Sequence, residues 1–129
     1  MLRAGLEQLD DVVAAAHAVD DPARRADIVV RGLADIMVDH RPRYSIMMSD
    51  PAVGPVLAAD PHTAATFARM EQALLGPDPD AERRLAAAYF LAACSAPAQP
   101  TLREEGTISA EAIRSSIVAL GHHLLGSAA

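Results

Sequence analysis

Residues 80–96, DAERRLAAAYFLAACSA, decide the fold class. Asp80 offers a carboxylate N-cap, and the run that follows is rich in Ala and Leu, the best helix formers. Leu85, Ala86, Ala88, Tyr89, Phe90, Ala92, Ala93 and Cys94 place apolar groups almost all round this helix. A helix apolar on every side asks to be covered on more than one side. Residues 108–126, ISAEAIRSSIVALGHHLLG, make the next helix, capped by Ser109 and carrying the stripe Ile113, Ile117, Leu120 and Leu124.

Working outward, the same period recurs. Leu2, Leu6, Leu9 and Val13 step by four, three and four, which predicts a helix over residues 2–17. Val29, Leu33, Ile36 and His40 predict a second, running from Pro22 to about residue 40. Gly32 sits inside it at a cost of about 1 kcal/mol relative to Ala. Pro42 opens a short helix holding Tyr44, Met47 and Met48, and a further turn or two covers Val53–Ala59. Thr63, Phe67, Met70 and Leu74 mark another, closed by Gly76-Pro77. Asp21-Pro22, Asp50-Pro51 and Asp60-Pro61 each set a capping acid before a proline at the first helical position. The expected architecture is all-α, with six to seven helices in one antiparallel bundle spanning residues 1–129. No strand pattern competes.

Composition narrows the function. The 129 residues suffice for one domain and 51% of them are hydrophobic, so the chain is no disordered tail. A net charge of −6, with eleven arginines mostly apart and acids near both pairs (Arg24-Arg25 and Arg83-Arg84), works against gripping phosphates. All basic residues are Arg, a habit of GC-rich bacterial genomes. A single cysteine, Cys94, and an N-terminus without a signal-peptide pattern point to a cytoplasmic setting. No run is long and apolar enough to span a bilayer.

No catalytic or metal constellation stands out, and no cofactor is expected. His122 and His123 diverge by about 100° on a helix, and His17, His40 and His62 lack a ligating neighbour one turn away. Cys94 reads as a small buried hydrophobe, and the pairs Asp10-Asp11 and Asp20-Asp21 as solvated or capping acids at helix ends. The bulky side chains are more suggestive. Met37, Tyr44, Met47, Phe67, Met70, Tyr89 and Phe90, with Met48, fall on four consecutive helices in a chain otherwise built of Ala and Leu. Ordinary core is the simpler account of any one of them. As a set they suit an adaptable apolar cavity for a small ligand. One domain of this size cannot cover both terminal helices, so a homodimer is expected. Its candidate interface is Leu85, Ile113, Ser116, Ile117, Leu120, Gly121 and Leu124.

Four stretches carry a family resemblance: MLRAGLEQLDDVVAAA (1–16), MSDPAVGPVLAADP (48–61), ALLGPDPDAERRLAAAYFLAA (73–93) and ISAEAIRSSIVALGHHLLG (108–126). Together they resemble the C-terminal domain of TetR-family transcriptional regulators. The resemblance implies a ligand pocket between the central helices and a dimeric four-helix bundle made by the last two helices of each copy. It implies that residues 1–17 join the core to an N-terminal helix-turn-helix that this chain does not contain. DNA contact, usually repression, would then come only through that part, with two readers held about 34 Å apart. An effector would act by moving the helix that holds Leu2 to Val13. The alternative is a helical dimeric scaffold without ligand or DNA.

Overall fold

The computed structural model describes residues 2–40, 55–56, 59–98 and 108–126. Among them every regular element is helical: α1 (Leu2–His17), α2 (Pro22–Asp39), α3 (Pro61–Leu75), α4 (Ala81–Cys94) and α5 (Ala110–Leu125), with a 3-10 turn at Ala96–Ala98. These are five α-helices where the sequence predicts six to seven. The expected helix at Tyr44–Met48 lies outside the described residues. Of the Val53–Ala59 segment only Pro55, Val56 and Ala59 are described, all in helical conformation.

Local chemistry sets the helix ends. Asp60, Asp80 and Ser109 are extended N-caps whose side chains accept from the backbone N–H of Thr63, Arg83 and Ala112. Asp21 holds the N-cap position before Pro22, but its carboxylate makes no capping bond. Gly76 (φ 72°) and Gly126 (φ 63°) close α3 and α5 in the left-handed region that favours glycine. α4 stops at Cys94, short of the expected Ala96, because Pro97 has no N–H to continue the ladder and the chain tightens into the 3-10 turn.

α2 is the centre, touching all four other helices. Its buried residues Ala26, Val29, Val30, Ala34, Ile36 and Met37 spread over more than one face. On one side Gln8 meets Asp39 and His40 while Val12 meets Gly32, so α1 runs antiparallel to α2. On another, Asp27 bonds His122 and Asp35 bonds Arg114, so α5 is also antiparallel to α2. Asp10 meets His62 and Thr66 while His17 meets Arg69, which makes α1 and α3 parallel. One apolar cluster joins the helices through Leu9, Val13, Val29, Val30, Leu74, Phe90 and Ile117. Full burial of each such side chain stabilises the fold by about 1.5–3 kcal/mol.

Candidate functional site

The residues expected to line a pocket part company. Met37, Met70 and Phe90 meet in the apolar cluster, and Phe90 is fully buried. Phe67 and Tyr89 lie at the surface, 39% and 59% exposed. Tyr44 and Met47, like Met48, fall outside the described residues. On α3 the inward stripe runs Thr63, Thr66, Met70, Ala73 and Leu74, which turns Phe67 outward. Thr66 takes the inner place because its hydroxyl donates to Asp10 Oδ1 at 2.6 Å across the α1–α3 seam.

The residues expected at a dimer interface also divide. Ile113 and Ile117 are buried within the single chain, and Gly121 with them. A Cβ on Gly121 would stand 2.6 Å from Val30 Cγ1 and 3.0 Å from Phe90 Cε1, so this face of α5 is pressed against α2 and α4. The inward stripe of α5 is therefore Ile113, Ile117, Gly121 and Leu125. Leu120 and Leu124 are only half-buried, while Ser116 is exposed and Leu85 is 52% exposed.

Those two residues mark a surface of unusual composition. Ala81, Leu85, Ala88 and Ala92 form one exposed stripe on α4, at helical spacing. Ala112, Ser116, Ala119 and His123 form a second on α5, which touches α4. Neither stripe holds an acid or an arginine.

At one end of the molecule a cleft of about 240 Å³ opens between Pro22, Ala23, Leu75, Gly76, Pro77, Arg83, Leu125 and Gly126. Arg83 lines it. Its Nε and Nη2 donate to the Leu74 carbonyl at 3.0 and 2.6 Å, and its Nη1 donates to the Leu125 carbonyl. These carbonyls belong to the last turns of α3 and α5, where intrahelical donors run out and the helix dipoles are negative. Burial holds the guanidinium pKa below its usual value, with Asp80 opposing. The cation thus ties two helix ends together.

Four histidines bond across helix seams: His17 Nε2 to the Arg69 carbonyl (3.2 Å), His40 Nε2 to Gln8 Oε1 (2.8 Å), His62 Nε2 to Asp10 Oδ2 (2.8 Å) and His122 Nε2 to Asp27 Oδ1 (2.5 Å). Asp10 lies mid-helix in α1 rather than at a helix end. Its carboxyl sits below the usual range because Thr66, then His62, donate to it. Asp27 is likewise lowered: burial works the other way, but bonds from His122 and Arg31 outweigh it. Asp27 and Asp35 sit eight residues apart on α2, as do His122 and Arg114 on α5. That matched spacing is a signal in the sequence, but it becomes readable only once the two helices are known to pair.

Among the described residues no group of three or more His, Cys, Asp or Glu could hold a metal ion. The Cys94 thiol is buried and pushed up to about 12, so it stays protonated at neutral pH. No described helix is long and apolar enough to cross a membrane. Comparison with known proteins adds no relative: no family model, no curated protein and no solved structure matches the chain.

Proposed function

We propose that the chain is the effector-binding and dimerisation domain of a TetR-like transcriptional regulator, two copies of which join through α4 and α5 in a four-helix bundle. The observation that supports this is the pair of outward stripes without acid or arginine, one through Leu85 and Ala88, the other through Ser116 and Ala119. A solvent-facing helix side ordinarily carries charge. Two such stripes of small and apolar residues on touching helices allow close approach of a second copy, and a two-fold axis counts each contact twice. In this reading the helix-turn-helix that reads DNA precedes α1, and the net charge of −6 suits a domain that leaves phosphates to that part. A small apolar effector shifts the position of α1 by preferring one placement of it over another.

The second reading, a helical dimer without a ligand, draws support from the use of Met37, Met70 and Phe90 as core and from the outward placement of Phe67 and Tyr89. One experiment addresses both. The parent chain and Leu85→Glu are sedimented, each with and without the apolar-site dye 1-anilinonaphthalene-8-sulfonate. The expected result is a parent dimer that binds the dye saturably and a folded Leu85→Glu monomer. A parent that stays monomeric at high concentration overturns the dimer. A parent dimer without saturable dye binding moves the conclusion to the scaffold.

A further inference from the structure

α1 is held by histidines on both flanks. On the α3 side His62 donates to Asp10, and His17 of α1 itself donates to the Arg69 carbonyl. On the α2 side His40 donates to Gln8, whose amide donates in turn to Asp39. The three differ in one respect that matters. The partners of His17 and His40 are neutral oxygens, which accept from a neutral or a charged imidazole alike. The partner of His62 is a carboxylate, and the pair becomes an ion pair only when the ring is protonated.

We propose that His62 and Asp10 form a pH-sensitive latch that fastens α1 to α3 more tightly in mildly acidic conditions and loosens as the medium turns alkaline. Asp10 is preset for it. The buried Thr66 hydroxyl donates to Asp10 Oδ1, which leaves Oδ2 aimed at His62. Among the described residues, the charged groups that act on the pair are Asp60, at the N-cap of α3, on His62, and Arg69 on Asp10. Asp39 and His40 of α2 engage the other flank of α1, at Gln8.

The sign follows from linkage. The bond to Asp10, then its charge, raise the His62 pKa above its ordinary value, with burial opposing and Asp60 assisting. The stabilisation is complete below about pH 6.5, the unfolded-chain value, and disappears as pH rises through the raised folded-state value. Leu9, Val13 and Ala16, which carry no titratable group, bury the inner face of α1 in the core, so the latch governs how firmly the helix is seated and not whether it is. The latch does not depend on the regulator reading. Its use as a second input, beside an effector, rests on the regulator reading above.

Amide hydrogen exchange tests it on the whole chain, without ligand or DNA. Exchange of α1 amides around Asp10, corrected for intrinsic rates and referred to α4, which carries no histidine, is compared at about pH 5.5 and about pH 8, either side of the imidazole range. The expected change is about two- to three-fold less protection of α1 at the higher pH, as for an exposed ion pair. His62→Gln and, independently, Asp10→Asn abolish the difference, while His17→Gln and His40→Gln retain it. His62 is 71% exposed, so its replacement leaves the fold intact, which far-ultraviolet circular dichroism checks. A pH difference that persists in His62→Gln overturns the latch, as does a His62 ring that titrates at or below the ordinary histidine value.

Discussion

A Cβ placed on Gly32 would stand 2.5 Å from Val12 Cγ1 and 2.6 Å from Val12 Cγ2. No unstrained carbon pair sits that close, and a valine held in a helix has few rotamers with which to retreat. Gly32 therefore answers for its mid-helix position: it lets α1 lie against α2, and Gly121 does the same for α5 against Val30 and Phe90. Helix propensity alone would have Gly32→Ala gain about 1 kcal/mol. Overpacking of the seam works against it by about 1–3 kcal/mol. The net expectation is a loss of about 1 kcal/mol in urea unfolding. Adding Val12→Ala to that variant relieves the clash, so the double variant is more stable than the sum of the single effects. A Gly32→Ala chain more stable than the parent would mean that α1 does not sit this close.

At the scale of elements, boundaries were legible because they are set by local chemistry. The carboxylates of Asp60 and Asp80, the Ser109 hydroxyl and Gly76 stand where the sequence puts them, while Asp21 holds its position without a capping bond. Inward faces were less legible. Hydropathy ranks Phe67 above Thr66 and Leu120 above Gly121, yet the structure buries Thr66 and Gly121. A hydroxyl paired to Asp10 and a glycine fitted under Val30 carry no apolar signal of their own. Arg83 was invisible for a similar reason: its partners are two backbone carbonyls that no side-chain pattern announces. It ties the last turns of α3 and α5, so Arg83→Ala is expected to destabilise the fold by about 1–3 kcal/mol, the scale of charge-assisted bonds on a partly exposed group. Arg83→Lys is expected to recover less than half of this, since a single ammonium cannot span both helix ends as the planar guanidinium does. Urea midpoints measure both. An unchanged midpoint for Arg83→Ala would show that the helix ends do not need the tie.

At the scale of the whole molecule, the proposed dimer would leave folding and association to different faces of α5: Ile113 and Ile117 are buried in the single chain, while Ser116 and Ala119 are exposed. The sequence made Ile117 a candidate for the two-fold axis, because an apolar α4 left no obvious room for the α5 stripe inside one chain. The structure finds that room against α2, and Ile117 is 4% exposed in the single chain. Ile117→Arg would place a guanidinium inside the cluster that holds Val29, Val30 and Phe90. An unpaired charge there costs several kcal/mol, comparable with the roughly 5–15 kcal/mol that holds an ordinary domain together. The expected product has no cooperative thermal transition at any concentration. Leu85→Glu, on the outward stripe of α4, keeps its transition and alters only the sedimentation. Thermal melts of the two variants, read beside their sedimentation, separate the faces. If Ile117→Arg melted cooperatively and lost only its dimer, α5 would have to present its Ile113–Ile117 face to a partner, with α2 covered by something else.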